Sequence, residues 1–73
     1  MKLRFTHHAQ SQLLARNIPT SYVVDAIRSP ESSSTVAGGA MSYRRSFNAR
    51  ILEVVCIKEK VKNEYLVLTM YYL

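Results

Sequence analysis

The sequence predicts an α+β fold in a single domain over residues 1–73: two N-terminal helices packed on a three- to four-stranded antiparallel sheet. Two observations carry this reading. Apolar residues recur at helical spacing up to Arg28, whereas β-branched and aromatic residues dominate from Met41 onward. Between the halves lies the one compositional break, Pro30 to Ala40, where Glu31-Ser32-Ser33-Ser34-Thr35 and Gly38-Gly39 read as a loop.

Lys2 to Phe5 could form a short first strand. Thr6 then suits a helix N-cap, because its hydroxyl can accept from a free backbone N–H of the first turn. The first helix is predicted over His7–Asn17, with Ala9, Leu13 and Arg16 on one side. Ile18-Pro19-Thr20 is a turn into a second helix capped by Thr20 or Ser21, with Val23, Val24 and Ile27 as its buried stripe. Ser29-Pro30 ends it, since the residue before proline is pushed out of helical geometry. Three strands follow: Met41–Phe47, Arg50–Lys58 and Tyr65–Leu73, joined by turns at Asn48-Ala49 and Lys60–Asn63. The middle strand is apolar on both sides except for Glu53, as a central strand should be. Strict alternation in the last strand would aim Leu66, Leu68, Met70 and Tyr72 at the helices, and Tyr65, Val67, Thr69 and Tyr71 away from them.

A chain of 73 residues buries only about 60% of its unfolded surface, so a shallow surface cleft is expected instead of an enclosed cavity, and a large organic cofactor is disfavoured. Ten Lys and Arg against five Asp and Glu give a net charge of +5, which favours an anionic partner, nucleic acid first. Cys56 is the sole cysteine, so no intramolecular disulfide and no cysteine metal cluster is expected, and a reducing cytoplasm fits. Met1-Lys2-Leu3-Arg4-Phe5 lacks the apolar segment of a signal peptide, and no run is long enough to span a bilayer.

His8 is the candidate proton-transfer group, because imidazole titrates near neutrality. Its alternative role is to fix the first helix on the C-terminal strand. His7 and His8 point about 100° apart on a helix, so they are not expected to chelate one metal. Arg16 could clamp a phosphate or stabilise a pentacoordinate phosphorane, or else tie the helix to a carbonyl or to Glu53. Arg44, Arg45 and Arg50, with Tyr43 nearby, are candidates for gripping phosphates while rings stack on bases; a charged, solvated edge strand is the alternative. Tyr71 could donate a phenolic proton and Thr69 could bond a phosphate oxygen, or both could pack across strands. Lys58, Lys60 and Lys62 read as a solvated turn.

Taken in order, Phe5-Thr6-His7-His8-Ala9, Arg16-Asn17-Ile18, Val23, Ala26-Ile27, Pro30, Ile51–Val55 and Val67–Tyr71 resemble an uncharacterised family of small domains that read F-T-x-H-A, R-x-I and V-x-T-x-Y. That family is grouped with RelE-, ParE- and BrnT-like toxins. The resemblance implies a metal-independent endoribonuclease without cofactors, with RNA as substrate and an acidic antitoxin-like protein as partner. It carries the family's His-Ala onto His8-Ala9, its Arg onto Arg16, its Thr-x-Tyr onto Thr69-Met70-Tyr71, and basic strand positions onto Arg44 or Arg45. A fold of this kind also serves binding modules that cut nothing. The acidic partner would cover a surface centred on Arg44, Arg45 and Arg50.

Overall fold

A computed structural model describes residues 1–73 as β1 (Lys2–Phe5), α1 (His7–Ala15), α2 (Thr20–Arg28), β2 (Ser32–Val36), β3 (Ala40–Phe47), β4 (Arg50–Glu59) and β5 (Glu64–Tyr72). One sheet of order β1-β5-β4-β3-β2 carries both helices. The expected three- to four-stranded antiparallel sheet is therefore corrected in two ways. The sheet has five strands, and it is mixed, because β1 runs parallel to β5. The additional strand is β2, which lies in the segment read as a loop. Its Ser-Ser-Ser-Thr-Val sequence has little strand character, and pairing with β3 from Ser32↔Arg44 to Val36↔Ala40 makes it extended. The turn between them runs through Gly38 and Gly39 at φ +86° and +81°, a conformation that strains any residue with a Cβ.

Local chemistry sets the helix ends. The Thr6 hydroxyl accepts from Ala9 N–H at 3.1 Å and donates to the Leu68 carbonyl at 3.0 Å, so one side chain caps α1 and fastens it to β5. α1 ends two residues before the predicted limit. Asn17 turns left-handed at φ 52°, its N–H bonding Leu14 O while Ile18 N–H bonds Leu13 O, the paired closure that lets Ile18 fold back into the core. α2 starts at Thr20 after Pro19, and neither Thr20 nor Ser21 caps it. The two helices span nine residues each, and no helix is long and apolar enough to cross a membrane.

The core joins Leu52, Val54, Cys56, Val67 and Met70 of the sheet to Ala9, Ile18, Val23, Ala26 and Ile27. Val67 and Met70 are three residues apart, so a regular strand would send them to opposite faces. A bulge reconciles them: Val55 opposes Thr69, Cys56 opposes Val67, and Leu68 is the extra residue. Strict alternation along the last strand is thereby corrected. Met70 and Tyr72 face the helices as expected, but Tyr65 and Val67 join them in place of Leu66 and Leu68.

The face without helices carries a buried carboxylate at the β1 edge. Glu64 is 2% exposed and meets Arg4 at 3.4 Å and Lys2 at 3.7 Å, which clamps the parallel strand. Both cations are largely exposed, so removing the carboxylate's charge strands no buried cation, and the cost is that of charge-assisted contacts alone. Glu64→Gln is expected to lower stability by about 1–2 kcal/mol in urea unfolding. Hydrogen exchange should quicken in Lys2–Phe5 before it does in β3 or β4.

Candidate functional site

Strand alternation and the bulge divide the predicted residues between two faces. Arg44, Thr69 and Tyr71 occupy the face without helices, in register with Glu53, Val55 and Glu53 of β4. Tyr43, Arg45 and Arg50 occupy the other face, in register with Val54, Leu52 and Phe47. One basic surface containing Arg44, Arg45 and Arg50 therefore does not form, because consecutive residues on a strand leave opposite sides of the sheet.

The open face holds a polar strip. Glu53 accepts a hydrogen bond from Arg44 Nε at 2.6 Å on one carboxylate oxygen and one from the Tyr71 hydroxyl on the other. Ser42 Oγ, buried on this face, lies toward Glu53 without completing a hydrogen bond. The Tyr71 bond, with help from Arg44 and against the desolvation of burial, holds the Glu53 carboxyl below its ordinary range. The same carboxylate, with burial, pushes the Tyr71 phenol up. Arg44 is thus fixed through one nitrogen, while the terminal nitrogens of its planar fork remain free for an anion.

His8 reaches the strip from α1. β1 stops pairing at Phe5↔Val67, which leaves that side of β5 open, and α1 begins there. His8 Nε2 lies 3.2 Å from Thr69 Oγ1 and 3.5 Å from Gln12 Nε2. Arg16 Nε donates to Gln12 Oε1, which turns the amide N–H₂ of Gln12 toward the imidazole. Arg16 is exposed and touches neither Glu53 nor a strand carbonyl; the expectation that it faces the core with Leu13 is corrected, because it sits at the C-cap, where the helix has ended.

The strip therefore brings together His8, Thr69, Tyr71 and Arg44, with Arg16 joined through Gln12. Thr69 and Tyr71 stand about 7 Å apart along β5, and the Arg44 backbone lies two strand spacings away, about 10 Å from that of Tyr71 and about 12 Å from that of Thr69. Glu53 and Gln12 are the members that residue-type reasoning passed over. Glu53 was accessible by counting outward from the Asn48-Ala49 turn: three steps beyond Phe47↔Arg50 comes Arg44↔Glu53. Gln12 stands one turn after His8 and one before Arg16, the helical spacing for contact. The surface has no enclosed pocket, and no three His, Cys, Asp or Glu side chains converge as metal ligands. Burial pushes the Cys56 thiol up to about 11, so it is a core residue and not a nucleophile. Comparison with protein-family models, curated proteins and solved structures finds no match for this chain.

The Glu53 arrangement has a pH signature. A depressed folded-state carboxyl stabilises the fold above the ordinary glutamate value of about 4.3, and the stabilisation is lost as pH falls through the folded value. Glu53→Gln is expected to cost about 1–2 kcal/mol at pH 7. In urea unfolding at pH 7 and pH 3, the parent should lose more stability between the two than the variant does. Tyr71 has the opposite sign. Its raised phenol stabilises below its ordinary value of about 10 and ceases to do so as pH rises through the folded value, a loss that Tyr71→Phe should remove.

Proposed function

We propose that this chain is a small RNA-directed domain, similar in chemistry to the RelE-like toxins its sequence resembles, that cleaves RNA by transesterification with its own side chains on the open sheet face. The observation that carries the reading is the 3.2 Å approach of His8 Nε2 to Thr69 Oγ1, beside a strip on which Glu53 holds Arg44 and Tyr71.

His8 Nε2 is the general base. A ribose 2′-hydroxyl replaces the Thr69 hydroxyl at this nitrogen and gives up its proton there, and its oxygen attacks the adjacent phosphorus. The displaced Thr69 hydroxyl bonds a phosphate oxygen. The free terminal nitrogens of Arg44 bind the non-bridging phosphate oxygens and take up the charge that grows on them. Glu53 fixes the Arg44 guanidinium by one hydrogen bond to Nε, and Tyr71, donating to the other oxygen of Glu53, holds that carboxylate in place, which leaves the terminal nitrogens of Arg44 unoccupied. The P–O5′ bond breaks, the leaving oxygen takes a proton from water, which reaches an open surface freely, and the hydroxide so formed takes back the proton that His8 gained. The products are a 2′,3′-cyclic phosphate and a 5′-hydroxyl. With one proton-transfer group in the strip, catalysis by proton transfer should amount to about 10²–10⁴-fold. An acidic inhibitory partner would cover this strip, since Arg44 and Arg45 point from opposite sides of the sheet.

The test is incubation of the protein with single-stranded RNA in EDTA, with end-group analysis of the fragments. Cyclic phosphate ends are expected, falling about 100-fold or more with His8→Ala and strongly with Arg44→Gln. RNA that stays intact at the His8→Ala level while still binding the parent would replace this reading with a binding module that does not cut.

A further inference from the structure

The helix-bearing side of the β3–β4 hairpin carries a second constellation that the reaction strip does not use. Tyr22 of α2 stacks on Phe47 of β3, ring centres 4.0 Å apart and 7° from parallel. The Arg45 guanidinium lies 5.8 Å from the Phe47 ring centre, and that of Arg50 lies 3.8 Å from the ring centre of Tyr72. Phe47 and Arg50 are direct cross-strand partners, so rings and guanidiniums form one continuous patch. It is held rigidly. Asn48 Nδ2 donates to the Tyr22 hydroxyl at 3.4 Å, Arg45 donates to the Ser29 carbonyl at 2.7 Å, and Asn48 and Ala49 form a two-residue turn with both φ positive, at 51° and 69°.

We propose that this patch binds single-stranded nucleic acid, with a base stacked on the Tyr22–Phe47 platform and neighbouring phosphates held by Arg45 and Arg50. Three features select this ligand. Neither arginine is paired with a carboxylate, in contrast to Arg4 and Arg44 on the other face. Arg50, over the Tyr72 ring, donates to no side chain or carbonyl, and Arg45 uses one terminal nitrogen on the Ser29 carbonyl and keeps its other N–H donors for a phosphate. The Tyr22, Phe47 and Tyr72 rings are only half-buried, and Arg28 at the exposed end of α2 adds a third cation beside the Ser29 carbonyl that holds Arg45. Stacked rings among unpaired arginines suit a strand with unstacked bases; in a duplex those base faces are hidden. Two carboxylates border the patch, Asp25 one turn along α2 from Tyr22 and Glu31, which accepts from the N–H and hydroxyl of Ser46 between Arg45 and Phe47; neither forms an ion pair with Arg45 or Arg50.

The inference extends the RNA reading but is tested apart from it. A fluorescently labelled single-stranded oligodeoxynucleotide lacks the 2′-hydroxyl and cannot be cleaved by the proposed route, so its binding reports on this patch whether or not the protein cuts RNA. Arg45→Gln with Arg50→Gln should weaken binding about 10-fold or more, and should flatten the dependence of log affinity on log salt by about 1.4, the value for two lost phosphate contacts on a single strand. Arg50→Gln alone, at an exposed position, should give about half that change in slope and guards against a folding defect at Arg45. The same sequence as a duplex should bind more weakly than the single strand. Unchanged affinity and salt slope in a double variant folded by circular dichroism would overturn the proposal. Equal affinity for duplex and single strand would overturn the stacking platform, and binding to an acidic peptide but to no oligonucleotide would reassign the patch to a protein partner.

Discussion

The extra residue at Leu68 is the constraint on which both the core and the open-face strip depend. β5 must send Val67 and Met70 into the same core, and an odd separation forbids this in a regular strand. Inserting Leu68 resets the phase. Val67 and Tyr65 then serve the helix side below the bulge and Met70 and Tyr72 serve it above, while Thr69 and Tyr71 face away. The disturbed backbone also offers the Leu68 carbonyl to the Thr6 hydroxyl, which at the same time caps α1. The start of α1 is thus pinned to the residue before Thr69, and His8, in the first turn of the helix, meets that threonine. Packing, helix placement and the candidate site come from one irregularity.

The net charge of +5 is not spread as composition suggests. On the open face, the carboxylates Glu53 and Glu64 lie beneath arginines or a lysine, so cations there are partly neutralised and held in place. On the helix side, Arg45 and Arg50 rest against aromatic rings, which attract a cation without cancelling its charge. An arginine with a carboxylate partner is oriented and attracts a phosphate through its free donors with part of its charge offset, whereas one beside a ring keeps its full charge. Charge complementarity therefore favours the helix-side patch for affinity. The open strip is the better place for a fixed donor fork beside a base.

Much of the fold can be read from the sequence where side chains decide the structure. Thr6 as a cap, the Asn48-Ala49 turn and the central position of β4 follow from residue chemistry within a few positions, whereas the α2 stripe is right at Val23 and Ile27 and wrong at Val24, in whose place Ala26 is buried. β2 escapes such reading because its ladder partner makes it a strand, and its own serines do not. The parallel pairing of β1 escapes because it joins the two ends of the chain, and its clamp, Glu64, looks from sequence like a turn residue. The bulge is signalled only by its outcome, the burial of two residues three apart. At the site, His8, Thr69, Tyr71 and Arg44 were identifiable by type, but grouping Arg44 with Arg45 set aside the period-two rule that the same sequence obeys elsewhere.

That adjacency has a consequence for how so small a domain can be used. A single sheet has two faces, and one step along a strand passes from one to the other. Helices cover only part of one face here, because α1 and α2 span nine residues each, α1 lying against β5 and β1 and α2 against β3 and β4. The end of the β3–β4 hairpin and the whole opposite face remain available. In β3, Arg44 is drawn to Glu53 on the open side and Arg45 to Phe47 and the Ser29 carbonyl on the other, so two chemically identical neighbours acquire different tasks through their cross-strand and helix partners. A single strand of nucleic acid passing around the hairpin end would meet the rings and unpaired arginines on one side and the His8–Arg44 strip on the other. On the proposed reading, enclosure, which a chain of this length cannot build, would be replaced by two shallow surfaces acting on neighbouring parts of one flexible ligand.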